Sequence, residues 1–375
     1  MNRFLPQIQI PEGCIHLGVG QPSNEMLPQR QLEQAAAEAL AGTDPFFLAY
    51  GVEKGNMDFR QNLCRFLERQ LPGRVDPDEL VVTNGNSMGL HLMSTLFAKP
   101  GDTVFVEEPS YFLALKIFRD HGLNMVPIPM DREGVKTDVF EEKLSLHKPA
   151  FFYTIPVFHN PASTTLSGQR RKALIKIAIK HDLLLVADEV YQFLNYGDPV
   201  PFSLASYRHE CRLVSLGSFS KILAPGLRLG WIHTRTELAD RLASSGLLDS
   251  GGGMNPFTSR IVNRLLENGG LDQYIQVLKT VYGKRSSTLF KSLEQYLPKD
   301  VEFEQPEGGY FIWLKLPHGM NAKSLRQQAL SLGVDYNAGN LFSCRAGLEN
   351  YIRLSFSFYD EPDLVEGVKR LSRLF

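Results

Sequence analysis

Cysteine is scarce. Cys14, Cys64, Cys211 and Cys344 are the four in 375 residues, widely spaced and without a C-x-x-C pair, a pattern that speaks against a disulfide framework or a zinc motif. Each reads most simply as a reduced, buried thiol. Long apolar runs are missing too: none reaches the roughly 18 residues of a membrane-spanning helix, and the N-terminus lacks the basic-then-apolar order of a signal peptide. A cytoplasmic location is therefore expected. Charge of either sign is not in excess, with 40 Lys and Arg against 41 Asp and Glu. The absence of a long basic tract argues against nucleic acid or an anionic membrane as the main partner and leaves small molecules. Internal repeats and low-complexity segments are also lacking, and the length allows one large α/β domain or two domains.

What is present is an alternation of short apolar runs and helical stretches. Met1 to Pro28, interrupted by Pro6, Pro11, Pro22 and Pro28, reads as an arm. Gln29 to Ala41 reads as a helix and Thr43 to Gly55 as a Gly- and aromatic-containing loop carrying Tyr50. Phe59, Leu63, Phe66 and Leu67 recur at helical spacing. Strands are expected at 80–83, 103–107, 125–128, 150–155, 183–187 and 213–216, with helices from about Asn86 and at 169–181, giving a mostly parallel sheet covered by helices. The strand at 229–233 is expected to run antiparallel, because only about a dozen residues and a Pro-Gly separate it from its predecessor. Gly251 to Gly253 with Asn255 and Pro256 reads as a flexible loop, followed by one long helical tract from Thr258 to about Tyr296. Beyond Pro298, strands at 301–304, 310–316 and 351–356 with helices at 322–332 and 363–375 read as a smaller α+β domain.

The stretch from Ser215 to Trp231 carries the chemistry. A strand passes through Ser218 and Ser220 and presents Lys221, whose amine, if desolvated, would become a nucleophile able to form a Schiff base with a carbonyl cofactor. Taken alone, the segment is more readily a loop with a surface lysine. Arg228, beyond the Pro-Gly turn, could with the two serines hold a phosphate beside that amine. The apolar run Leu183 to Ala187 ends in Asp188, at the carboxyl end of a strand, where open α/β sheets bind ligands. A carboxylate on a crevice floor, a lysine and a phosphate clamp describe a site for pyridoxal 5′-phosphate (PLP).

With these residues the chain resembles the class I/II aminotransferases of the type I PLP fold, and among them the subgroup acting on aromatic amino acids, kynurenine and 2-aminoadipate. The matching pieces run in the family's order: Gly18-Val-Gly-Gln-Pro22, Tyr50-Gly-Val-Glu-Lys-Gly55, Thr83-Asn-Gly-Asn-Ser-Met-Gly89, Glu108-Pro-Ser-Tyr111, His159-Asn-Pro161, Asp188-Glu-Val-Tyr191, Ser218-Phe-Ser-Lys221 with Arg228, and Tyr351-Ile-Arg353. The resemblance implies a large PLP-binding domain at 49–266 and a small domain built from 1–48 and 267–375. It implies a homodimer, with Tyr50 reaching the neighbouring subunit's cofactor phosphate.

The same resemblance assigns roles. Asp188 would hold the cofactor's ring nitrogen protonated, and its alternative is a turn-capping aspartate. Asn160 and Tyr191 would donate to the ring oxygen, and Tyr111 would stack on the ring where a lone tyrosine would more often only pack. Asn86, Ser87 and Met88 open a helix after a glycine turn, a context that binds phosphate, with Ser218, Ser220 and Arg228 opposite. Arg353, in an otherwise apolar strand, matches the anchor for a substrate α-carboxylate, with the Gly20 backbone nearby; without the resemblance a structural ion pair would be the simpler reading. Departures fall on the substrate side: Asn160-Pro161-Ala162-Ser163 replaces Asn-Pro-Thr-Gly, His159 replaces a more usual glutamine, and Ala338-Gly339 replaces Pro-Gly. The expected activity is amino transfer from an L-amino acid to a 2-oxo acid such as 2-oxoglutarate. A PLP-dependent lyase or decarboxylase is the first rival, and a non-enzymatic PLP-binding sensor the second, although no basic helix-turn-helix pattern precedes Tyr50.

Overall fold

The computed structural model describes residues 8–41, 45–197 and 200–375. The start of the expected N-terminal arm, at 1–7, and Thr43 in the aromatic loop lie outside these residues. The first half of the chain supplies strand β1 (Ile15–His16), helices α1 (Gln29–Leu40) and α2 (Met57–Gln70), β2 (Leu80–Thr83), α3 (Asn86–Phe97), β3 (Thr103–Glu108) and α4 (Phe112–Asp120). There follow β4 (Asn124–Asp131), β5 (Gly134–Val135), α5 (Thr137–Leu146), β6 (Phe152–Thr154), α6 (Gly168–Lys180), β7 (Leu185–Asp188), β8 (Leu213–Ser218) and β9 (Gly230–Thr234). The eight strands from β2 to β9 form one sheet in the order β2-β9-β8-β7-β6-β3-β4-β5. Its centre, β8 through β4, is parallel. As expected from the short connection, β9 runs antiparallel to β8.

Packing explains why these segments settle as they do. Every residue of β6, β7 and β8 is buried, which fits central parallel strands covered on both faces. The stripe Phe59, Leu63, Phe66 and Leu67 on α2 is buried as its spacing requires. Asn56, Ser167 and Asp360 cap α2, α6 and the last helix by accepting a backbone N–H in each first turn. Helix α3 is different: it opens at Gly85 with no side-chain cap.

The remainder comprises α7 (Thr236–Ala243), α8 (Gly246–Gly251), α9 (Pro256–Glu267), α10 (Gly270–Tyr296), β10 (Phe311–Lys315), α11 (Ala322–Ser331), β11 (Val334–Asp335), β12 (Asn337–Ala338), β13 (Tyr351–Ser355) and α12 (Glu361–Leu371). β10, β13 and β12 form an antiparallel sheet, and β1 pairs with β11, so the N-terminal segment is sewn onto the C-terminal part of the chain. One core cluster runs through both parts, from Leu17 and Phe59 to Trp231, Tyr310 and Phe356.

Three expectations need correction. The single helical tract is two helices, because Gly269 adopts a left-handed φ of 73° that ends the helical path. The expected strand at 301–304 is reduced to one bridge, Glu302 with Lys315. Pro306 cannot donate to a ladder, and the chain then turns away to bridge Gly308 with Asn195. The stretch before Asn255 is not all loop, since α8 reaches Gly251. Of the four cysteines, Cys64 and Cys211 are buried and Cys14 and Cys344 half-buried, all free. Among the described residues, no helix is long and apolar enough to cross a membrane.

Candidate active site

Parallel strands end together, and the residues just past those ends converge. Asp188 closes β7 and is 4% exposed. Its Oδ1 accepts from Asn86 Nδ2 at 2.7 Å and its Oδ2 from the Tyr153 hydroxyl at 2.8 Å. Burial raises its pKa in spite of these donors, so a cation placed beside it would be strongly favoured.

Lys221 follows the neighbouring strand β8. Its Nζ donates to the Gly20 carbonyl at 3.0 Å and lies 5.3 Å from the centre of the Tyr310 ring. Burial, and then repulsion from Arg353, lowers its pKa to about 8. A sizeable fraction of the amine is therefore neutral and nucleophilic near physiological pH.

The glycine turn before α3 forms the next wall. Gly85 has a φ of 73°, and a Cβ there would stand 2.8 Å from Arg228 Nη2, so only glycine lets the arginine lie against the helix start. Arg228, itself at φ 47°, donates to the Pro225 and Asn84 carbonyls at 3.2 and 3.5 Å. Met88 gives its N–H to Gly85 O. Asn86 and Ser87 are the first two residues of a helix with no side-chain cap, so the helix itself leaves their N–H groups free beside an exposed guanidinium, a fit for a phosphate. Ser218 Oγ accepts the N–H of Ser220 at 3.1 Å, which shapes the turn leading to Lys221.

On the opposite side, Arg353 sits in the middle of β13, paired in register with Trp313 of β10 and Asn337 of β12. It is 3% exposed. Nη1 donates to Asn160 Oδ1 and Nη2 to the Gly18 carbonyl, both at 2.8 Å, and the guanidinium lies over the Phe311 and Phe342 rings at 4.0 and 4.9 Å. Among the described residues no carboxylate pairs with it, and burial lowers its pKa to about 10. Among the described residues it makes no structural ion pair. A buried arginine with uncharged acceptors and one unpartnered nitrogen, Nε, fits an arriving carboxylate.

Tyr191 is buried, and burial pushes the pKa of its phenol up. Tyr111 caps α4 at the end of β3, half-buried, its pKa pushed up to about 12 by burial and the Asp188 charge. Tyr50 stands apart, 83% exposed. Sequence reasoning overlooked Tyr153, which holds Asp188, and Tyr310, which holds Lys221. The only signal for Tyr153 is a phenol inside the apolar strand Phe151-Phe-Tyr-Thr-Ile155, whose hydroxyl must find a partner when buried.

A buried carboxylate, a lysine with a lowered pKa, a buried arginine with no carboxylate partner among the described residues and an uncapped helix start fit a PLP enzyme of the type I fold. The comparisons with known proteins agree. Residues 12–371 match the family described as aminotransferase class I and II, and the chain belongs to it: a PLP-dependent aminotransferase. Among its relatives, aromatic-amino-acid aminotransferase 1 of Thermococcus litoralis is 34% identical over 96% of this chain and 87% of its own length. The 2-aminoadipate transaminase of Thermus thermophilus is 30% identical over 96% and 90%. Among solved structures, Pyrococcus horikoshii kynurenine aminotransferase superposes with a TM-score of 0.91 at 31% identity, covering 97% of this chain and 91% of that one.

Proposed function

We propose that this aminotransferase takes its amino group from an L-amino acid with an aromatic or 2-aminoadipate-like side chain and passes it to a 2-oxo acid such as 2-oxoglutarate. The observation that carries this reading is Arg353, buried without a counter-charge and surrounded by rings. Trp313 stacks on Tyr351 at 5.1 Å, and both Trp313 and Phe112 meet Phe342 at near-perpendicular angles. A carboxylate on Arg353 would therefore carry its side chain toward aromatic surface.

Bound PLP supplies an electron sink for charge developing at the substrate Cα. In this reading Asp188 holds the proton on the ring nitrogen, fixed by Tyr153 and Asn86. Asn160 and Tyr191 donate to the ring oxygen and Tyr111 stacks on the ring. The N–H groups of Asn86 and Ser87, the hydroxyls of Ser218 and Ser220, and Arg228 hold the phosphate; Met88 enters through its place in the same turn. Lys221 Nζ is the covalent anchor and moves the substrate Cα proton. Arg353, with Asn160 and the Gly20 backbone, orients the α-carboxylate.

The reading extends to assembly: residues 49–266 form the cofactor-binding domain, 1–48 with 267–375 the smaller one, and two copies share their sites through Tyr50 in a cytoplasmic homodimer. The exposure of Tyr50 supports a partner's ring of contacts around it. A panel of amino donors against 2-oxoglutarate tests the substrate class: oxo-acid product from aromatic or 2-aminoadipate donors sustains it, and turnover confined to small or branched donors overturns it. Mixing Lys221→Ala protein with an inactivating Tyr50 variant tests the shared site. Restored turnover is expected, because one site of each hybrid is intact; hybrids that form without activity refute sharing.

A further inference from the structure

Tyr310 is fully buried at 0% exposure. A phenol placed so deep must find a partner for its hydroxyl. Tyr310 gives that hydrogen bond to the backbone carbonyl of Lys221, at 3.0 Å across 89 residues of sequence. That carbonyl lies in the turn after β8, outside any helix or strand, and accepts no backbone N–H among the described residues. The hydrogen bond from Tyr310 therefore ties down the peptide carbonyl that follows the lysine's Cα.

The ring does a second thing. Its face lies 5.3 Å from Lys221 Nζ, within the range of a cation–π contact, while the ring makes edge-type contacts with Tyr191 at 5.6 Å and Tyr282 at 5.1 Å. One residue thus grips both ends of the lysine and braces Tyr191. It is itself held rigidly: Gly309 has a φ of 72°, a Cβ on Gly308 would come within 2.4 Å of the Phe158 ring, Gly309 N–H binds Leu194 O, and the Tyr196 hydroxyl binds Gly309 O. The Tyr310 carbonyl accepts from Phe356 next to β13, so the strand carrying Arg353 and the turn carrying Lys221 meet through this residue.

The geometry points to Tyr310 as a positioning residue for Lys221, its hydroxyl fixing the lysine's backbone and its ring face holding the free amine beside Gly20. This rests on the reading of Lys221 as the cofactor-linked lysine. A tyrosine that merely filled the core would make the same ring contacts with Tyr191 and Tyr282 and could satisfy its hydroxyl on any acceptor; here the acceptor is the carbonyl of Lys221 itself.

The test uses Tyr310→Phe and Tyr310→Leu in the full chain, following turnover of the holoenzyme and, after stripping and remixing with PLP, the rate at which the visible absorption of the lysine-linked cofactor returns. Tyr310→Phe is expected to lower kcat and the remixing rate by about tenfold each, with KM changed less than about twofold, since a misaimed reacting group costs rate and not binding. Tyr310→Leu is expected to lower both further, because the ring face is lost too. A Tyr310→Phe protein with wild-type kcat and remixing rate overturns the hydroxyl's role even if its melting temperature falls, and a Leu variant no slower than the Phe variant overturns the ring's. Lys221→Ala separates the two readings: visible absorption that persists there refutes the assignment of Lys221 itself, whatever Tyr310 does.

Discussion

The two ends of the central sheet treat buried charge in opposite ways. At the end away from Lys221, Glu79 stands just before β2. It takes two nitrogens of Arg208, Nε at 2.7 Å and Nη2 at 2.6 Å, and lies near His233 and His209. Burial pushes its carboxyl up, but the neighbouring His233 and the hydrogen-bonded Arg208 charge outweigh it and hold the pKa at about 2. Around Lys221, burial wins on three groups: Asp188 is raised, Lys221 lowered to about 8 and Arg353 lowered to about 10. Charges compensated by their own chain belong to the scaffold. In the proposed site, the three under-compensated groups are the ones a bound ligand would complete.

Breaking each end should therefore damage a different property. The largest effect is expected from Lys221→Ala, which should lose turnover by about a thousandfold or more along with the visible absorption of the linked cofactor, while the cofactor-free protein stays folded. Retained absorption and turnover would remove the lysine from the chemistry. At the far end, Arg208→Ala leaves Glu79 with a buried charge and should cost about 3–5 kcal/mol in denaturant unfolding. Its kcat per folded, PLP-loaded molecule should hold. A stability loss below about 1 kcal/mol would erase the contrast between the two ends.

A pH experiment sharpens it further. Between about 8 and 10.5, the folded and ordinary pKa of Lys221, the unfolded chain binds a proton that the folded chain does not, so the group's contribution to folding improves as pH rises through that window. Cofactor-free Lys221→Met protein should consequently exceed wild type in stability below pH 8, by on the order of a few kcal/mol, with the gain vanishing toward pH 10.5. An equal difference at pH 7 and pH 11 would mean that the lysine's charge is not strained. The smallest effect is expected from Arg353→Lys: KM for both amino donor and oxo acid should rise about tenfold, with unfolding free energy changed by less than about 1 kcal/mol. Lost stability with unchanged KM would make Arg353 a scaffold residue like Arg208.

Much of this site was legible before any coordinates. The apolar run ending in Asp188, the small residues before Lys221 and the glycine turn before Asn86 are local signals, because a buried strand, a tight turn and a helix start each need particular residues in sequence. The limits were equally local. The break at Gly269 was hidden inside a helical pattern, and Val301–Glu304 had strand-like composition without enough of a partner to pair with.

The sequence by itself determined the alternation that builds a parallel sheet, and hence that Asp188, Asn160 and Lys221 would emerge at one edge of it. Only the tertiary structure decided which buried groups would be compensated. Tyr153 reaches Asp188 across neighbouring strands, Tyr310 reaches Lys221 from the far side of the chain, and Arg353 meets Asn160 and Gly18 with no carboxylate beside it. A hydrogen bond or its absence depends on atoms brought within about 3 Å of each other, and residues so far apart in sequence acquire such distances only when the sheets close around them.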